Sequence, residues 1–178
     1  LYDADINIHM ISTSEIKVSV LLDENDANAA AFGEVVNGAG KGYKNVVVIT
    51  LGTGVGGGII IDGKIYTGFN FCGGEVGHTV IEYNGRPCSC GRKGCFEAYS
   101  SATALINFTK EAMQENKDTK MWEIAGGSID SVDGKTAFDG FRAGDKTAID
   151  VVNTYIGYLG CGLTNMVNIF QPRYPIYV

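Results

Sequence analysis

One histidine and three cysteines that lie close together constrain the fold of this chain more than any other feature. They are His78, Cys88, Cys90 and Cys95, in the segment GHTVIEYNGRPCSCGRKGC. One imidazole and three thiols form a ligand set of a closed tetrahedral zinc site, in which no position is left for a substrate. Gly91 and Gly94 allow the loop to fold back on itself. The sequence therefore predicts one structural Zn²⁺ ion held by these four side chains.

Disulfide pairing in a secreted protein is the alternative for these thiols. The chain has five cysteines, an odd number, and Cys88 and Cys90 are too close to pair without strain. No apolar leader is visible in the sequence, and we therefore expect metal binding and a cytoplasmic location. Cys72 and Cys161 lie outside the cluster, and we expect both to be small buried residues rather than ligands.

Composition excludes two classes of partner. The net charge is −6, and no long run of lysine or arginine is present, which argues against a nucleic-acid surface. No apolar stretch is long enough to span a bilayer, so we expect no membrane partner. A chain of 178 residues can form one domain, or one large lobe and part of another.

The first part of the chain predicts a strand and then a helix. Residues 17–22 alternate and are rich in β-branched side chains, and residues 27–36 are rich in alanine with Gly38 just beyond them. Asp26 is therefore expected at the helix N-terminus, where the dipole favours an ionised carboxylate. On this pattern alone, Asp26 is either a functional acid or only an N-cap.

A glycine-rich segment, residues 52–58, follows the apolar run of residues 45–51, which is typical of a strand buried on both faces. Residues 59–61 and 64–66 flank an Asp-Gly pair and predict a β-hairpin. The glycine segment thus joins strand to strand, whereas Walker and Rossmann loops lead into a helix. It is either a phosphate-binding loop or simply a tight hairpin.

Helices are predicted in the second half of the chain. Residues 96–115 have helical spacing, residues 122–124 form a short element before a Gly-Gly turn, and residues 174–178 begin a strand. Asp145 is predicted to cap a long helix over residues 146–170. Three glycines on that helix imply close packing against a neighbour: Gly157, Gly160 and Gly162. The chain is therefore α/β throughout.

Four segments together resemble the ROK family of bacterial sugar kinases and repressors. They are NDANAAAFGE (25–34), LGTGVGGGIIIDGKIYTG (51–68), GGEVGH (73–78) and CSCGRKGCFE (88–97). The resemblance extends from about residue 18 to residue 171, and it implies an actin-like (ribonuclease H-like) sugar kinase fold with a structural zinc loop at residues 78–95. Residues 1–24 would belong to the small lobe or an interlobe segment, and residues 25–178 to the large lobe.

The resemblance also implies site residues. Asp26 matches the catalytic base, and Asn25 matches a sugar-hydroxyl contact. The other sugar contacts would be Glu75, His78 and Glu97, although both glutamates could equally be solvated surface acids. The second phosphate motif would be Gly52, Thr53 and Gly54. The structural zinc ligands would be His78, Cys88, Cys90 and Cys95.

The activity implied is that of an ATP-dependent hexose kinase, glucokinase-like, which uses ATP with Mg²⁺ and converts glucose to glucose 6-phosphate. A homodimer is expected. One alternative is a sugar-responsive transcriptional repressor of the same family, with a helix-turn-helix before the kinase-like part. Another is a kinase for fructose, mannose or an N-acetyl amino sugar. The first phosphate motif and the adenosine segment of the family do not appear in the sequence, so we expect it to be part of a longer protein.

Overall fold

The computed structural model describes residues 25–172, with the backbone alone for Asn25 and Asp26. The strands predicted at residues 17–22 and 174–178 lie outside the described residues. The strands are β1 (Val46–Leu51), β2 (Val55–Ile61) and β3 (Lys64–Ile65). The α-helices are α1 (Asn25–Asn37), α2 (Glu97–Ser100), α3 (Ala102–Glu115), α4 (Met121–Ile124), α5 (Thr136–Arg142) and α6 (Lys146–Phe170). Short 3-10 helices cover Val76–His78 and Ile129–Ser131.

The three strands form an antiparallel sheet in the order β1-β2-β3. Leu51 pairs with Val55, so a three-residue turn joins β1 to β2. The predicted hairpin between β2 and β3 is confirmed: Asp62 and Gly63 both have positive φ, 51° and 76°, as a type I′ turn requires. β1 is buried on both faces, as predicted, because Val46 and Val48 pack with Ala31 of α1. Its alternate residues, Val47 and Ile49, pack with Phe96 and Met166.

The glycines of the glycine-rich segment have two different positions. Gly56, Gly57 and Gly58 lie within β2, which begins at Val55 rather than at residue 59 as predicted. A Cβ at Gly57 would lie 2.5 Å from the Val76 side chain, and one at Gly58 would overlap the Ala27 backbone of α1. These glycines therefore let neighbouring segments approach the strand. Only residues 52–54 form the turn.

One predicted helix is interrupted. Residues 96–115 were expected to be continuous, but α2 and α3 are separated by Ser101, which has an extended backbone with ψ of 164°. The Ser101 hydroxyl accepts a hydrogen bond from the Ala104 N–H at 3.0 Å and caps α3. The Ala102 N–H donates to the Gly52 carbonyl at 2.8 Å. The glycine turn and the serine cap together break the helix.

The long helix α6 has its predicted limits. Asp145 accepts from the Ala148 N–H at 2.8 Å, and Gln171 ends the helix in the left-handed conformation. Close packing is confirmed at Gly162, which lies against the Phe96 ring. The prediction of close packing is wrong for Gly157 and Gly160, where an added Cβ would meet nothing within 4 Å in the described part of the chain. Helix α5 was not predicted from the sequence.

Two cysteine predictions were also wrong. Cys72 and Cys161 are exposed rather than buried. Cys161 precedes Gly162 on α6, and successive helical residues point about 100° apart, so the side chain next to the packed glycine is turned away from the core. Among residues 25–172, no helix combines the length and hydropathy needed to cross a bilayer.

Candidate functional site

The four predicted metal ligands lie close together in the folded chain. The ligand atoms of His78, Cys88, Cys90 and Cys95 all lie within 4.8 Å of one another. Cys90 Sγ is 3.6 Å from Cys95 Sγ, and His78 Nδ1 is 3.6 Å from Cys88 Sγ. Zn–S bonds of about 2.3 Å place tetrahedral ligands about 3.8 Å apart. The cluster therefore fits one tetrahedrally bound ion, with His78 using Nδ1.

Tight local turns bring these ligands together. The Gly91 N–H donates to the Cys88 carbonyl at 3.0 Å, and the Cys88 N–H donates to the Arg92 carbonyl at 2.9 Å. Gly91 and Gly94 have positive φ of 84° and 80°, which non-glycine residues rarely adopt. The prediction that these two glycines reverse the loop is confirmed. His78 arrives from the 3-10 helix Val76–His78, whose first two residues are buried.

The thiols differ in their environments. Burial raises the pKa of the Cys95 thiol to about 12. A hydrogen bond from the Arg92 backbone N–H lowers the pKa of the exposed Cys90 thiol. Thiolates, not thiols, are the ligands of zinc, and a bound cation deprotonates them. Metal binding at this cluster would therefore release protons.

The glycine turn, residues 52–54, rests on the start of α3. The Thr103 hydroxyl donates to the Thr53 carbonyl at 2.8 Å, and the Ala102 N–H donates to the Gly52 carbonyl at 2.8 Å. Gly52 and Thr53 are exposed. The turn is thus held from behind by helix residues while its outer side faces solvent.

Glu97 lies between the glycine turn and the metal cluster. Its Oε2 accepts a hydrogen bond from the Val55 N–H at 3.1 Å, directly after the turn. Its Oε1 accepts one from the Ser89 hydroxyl at 3.1 Å and lies 3.6 Å from Cys88 Sγ. Ser89 is not predicted from the sequence, since a serine in a loop carries no signal of its own.

The remaining predicted residues are less tightly connected to this group. Glu75 is exposed and precedes the 3-10 helix that carries His78; its carbonyl accepts from the His78 N–H at 3.1 Å. Asn25 and Asp26 begin α1, as predicted, but their side chains lie outside the described residues. At Gly56, an added Cβ would lie 3.2 Å from Ala27 Cβ, so the start of α1 contacts β2 just beyond the glycine turn.

Comparison with known proteins places these features in a family. A family model described as "ROK family" matches residues 6–176. A glucokinase from Thermotoga maritima is 40% identical over 150 residues, which cover 84% of this chain and 47% of that protein. A xylose repressor from Bacillus spizizenii is 34% identical over 169 residues, covering 95% of this chain and 40% of that protein.

A solved structure from the ROK family is also similar to this chain. The crystal structure of a ROK family glucokinase from Streptomyces griseus, in complex with glucose and AMPPNP, superposes with a TM-score of 0.76 at 38% identity. The match covers 83% of this chain and 48% of that one. The chain spans about half the length of the curated glucokinases it matches.

Proposed function

This chain belongs to the ROK family, and on that premise we propose that the whole protein is an ATP-dependent hexose kinase that phosphorylates glucose. The observation that carries this proposal is the position of Glu97, a proposed sugar contact. Its carboxylate is hydrogen-bonded to the residue directly after the proposed phosphate turn and lies beside the metal cluster. Sugar and phosphate groups bound at these places would be neighbours, as phosphoryl transfer requires. The glucokinase relatives, one of them solved with glucose and AMPPNP, support the same assignment.

The proposed chemistry is transfer of the γ-phosphoryl group to a sugar hydroxyl. A hydroxyl is a weak nucleophile, so Asp26 accepts its proton as the new O–P bond forms and the bond to the leaving diphosphate breaks. Asn25, Glu75, His78 and Glu97 orient the sugar by accepting and donating hydrogen bonds. Gly52, Thr53 and Gly54 hold phosphate oxygens, because a glycine turn lets backbone N–H groups approach closely. Mg²⁺ bound with the nucleotide would neutralise phosphate charge.

We propose that the ion at His78, Cys88, Cys90 and Cys95 is Zn²⁺ with an architectural role. Its four ligands are all protein side chains, and the site they form adjoins Glu97. The wider arrangement proposed is an actin-like, two-lobed homodimeric protein of the cytoplasm, in which residues 25–178 belong to the large lobe and residues 1–24 to the small lobe or interlobe segment.

The zinc proposal is tested by elemental analysis of the full-length protein. About one zinc per chain is expected, with loss of the metal in Cys88→Ser. Cys161→Ser is the matched control, because Cys161 is exposed and lies outside the cluster. Full metal content in Cys88→Ser would contradict the assignment.

The kinase proposal is tested with Asp26→Asn in the full-length protein. Asparagine keeps the size and hydrogen bonding of the side chain but cannot take the proton, so kcat should fall by at least ~100-fold while glucose still binds. Asp62→Asn is the control, since it removes the same charge in an exposed hairpin turn. Near-parental turnover by Asp26→Asn would leave Asp26 as a helix cap only.

A repressor is the second candidate, favoured by the similarity to the xylose repressor. The two are distinguished by kinetics on glucose, fructose, mannose and N-acetylglucosamine together with a DNA mobility-shift assay. Turnover on one of these sugars identifies a kinase, and a preference for a sugar other than glucose would change the substrate alone. Inactivity on all four, together with DNA binding, would identify the repressor.

A further inference from the structure

The carboxylate of Glu97 is held at both of its oxygens by groups from two different segments, the start of β2 and the cysteine loop. Oε2 accepts the Val55 N–H at 3.1 Å, and Oε1 accepts the Ser89 hydroxyl at 3.1 Å. Side chains held by two directional bonds have one orientation rather than several, which is the condition for precise recognition of a ligand.

Gly54 provides the space in which this carboxylate lies. A Cβ at Gly54 would overlap Glu97 Oε2 and lie 3.2 Å from Glu97 Cδ. Gly54 is not among the glycines with positive φ, so its backbone conformation is open to alanine. An alanine at this position would therefore displace the Glu97 carboxylate from its place rather than strain the turn itself.

Ser89 provides the donor that survives metal binding. Cys88 Sγ also lies 3.6 Å from Glu97 Oε1, but a metal-bound thiolate has no proton to donate. The Ser89 hydroxyl lies 3.8 Å from the same sulfur and carries one proton, which it gives to the carboxylate at 3.1 Å. Its backbone is fixed because both neighbours in the chain, Cys88 and Cys90, are candidate ligands.

We propose that Gly54 and Ser89 are positioning residues for the sugar site, because together they hold the Glu97 carboxylate between the glycine turn and the cysteine loop. This rests on the proposed function, in which Glu97 contacts the sugar. One carboxylate then touches both substrates' sites, so a change in the glycine turn alters sugar affinity.

The test uses calorimetric titration of the full-length protein with glucose and, separately, with AMPPNP. Ser89→Ala should raise the Kd for glucose by up to about 10- to 150-fold, as expected for loss of a hydrogen bond to a charged group, with unchanged zinc content and unchanged Kd for AMPPNP. Ser89→Thr retains the hydroxyl and should restore glucose affinity to within about 3-fold of the parent. Equal glucose affinity in all three proteins would overturn the role of Ser89.

Gly54→Ala is compared with Gly134→Ala. Gly134 also lacks a positive φ, lies outside the candidate site, and an added Cβ there meets nothing within 4 Å in the described residues. Both changes add one methyl group to a non-helical segment, but only Gly54→Ala should weaken glucose binding, by about 10-fold or more. An unchanged Kd for glucose in Gly54→Ala, or the same loss of glucose affinity in both variants, would overturn the proposal.

A stability cycle separates this inference from the proposed function. Gly54→Ala should lower Tm in the parent but not in the Glu97→Ala background, where the carboxylate no longer fills the space. This outcome is expected whatever sugar the protein binds. An equal decrease in both backgrounds would overturn the positioning role, whereas absence of glucose binding in the parent would refute only the choice of substrate.

Discussion

Replacement of Gly162 by alanine should disturb the metal loop from inside the core. A Cβ at Gly162 would overlap the ring of Phe96, which is fully buried at 0% exposure. Phe96 stands between the candidate ligand Cys95 and Glu97 in sequence. Displacement of the ring should therefore move both of these neighbours in the chain.

The magnitude follows from two opposing effects. Alanine in a helix interior is favoured over glycine by about 1 kcal/mol, whereas an extra methyl group in a packed core costs about 1–3 kcal/mol. Gly157→Ala is the matched control, since its Cβ meets nothing within 4 Å in the described residues and only the favourable effect applies. Gly162→Ala should thus be less stable than Gly157→Ala by about 1–3 kcal/mol.

The assay is urea denaturation of the full-length variants, followed by circular dichroism, with the rate of zinc release to a chelator measured in parallel. Gly162→Ala should release metal faster than both the parent and Gly157→Ala. Equal stability of the two variants would refute the reasoning, because it would mean that the ring moves at no cost. Lower stability with an unchanged release rate would refute the link between Phe96 and the metal loop.

Three further predictions concern polar side chains outside the ligand cluster. Burial opposes ionisation of Asp145, but hydrogen bonds from two backbone N–H groups and the Thr119 hydroxyl outweigh it and hold the pKa of Asp145 below its usual value. A lowered acid pKa gives stability that is present above the unfolded pKa of about 3.9 and is lost as pH falls through the folded value; Asp145→Asn should therefore flatten the acid limb of stability against pH in denaturant titrations. Glu111→Gln should cost less than about 1 kcal/mol in the same measurement, because its ion pair with Arg86 is partly exposed. Arg86→Ala should cost more than Glu111→Gln, since its guanidinium also lies 4.4 Å from the Phe108 ring centroid.

The features that were predicted correctly from sequence are each determined by residues only a few positions away in the chain. The Asp-Gly turn requires two positive φ values, Asp145 caps the helix that directly follows it, and Gly91 and Gly94 turn the loop between ligands. In each case, the residue type and the local backbone determine each other. The residue types and their spacing in the sequence were therefore sufficient to predict these features.

The features predicted incorrectly depend on distant parts of the chain. Ser101 interrupts a helical pattern because the carbonyl of Gly52 takes the next N–H. Gly58 is strand rather than loop because it pairs with Val48 of β1, and the backbone of α1 lies against it where a side chain would otherwise stand. Nothing in the residues around Ser101 or Gly58 indicates these partners, which only the folded chain brings together.

The composition of the cysteine loop explains why the proposed metal would be needed beside a polar site. Between Arg86 and Cys95, only Gly94 and Cys95 are buried, and most of the others are exposed. Such a loop buries too little apolar surface to offset the roughly 1–2 kcal/mol of backbone entropy lost for each ordered residue. A site that recognises sugar hydroxyls must itself be polar and partly solvated, so an apolar core cannot support it from the same side. A tetrahedral ion can order such a loop without apolar burial, and the proposed ion would do so next to the Ser89 hydroxyl that holds Glu97.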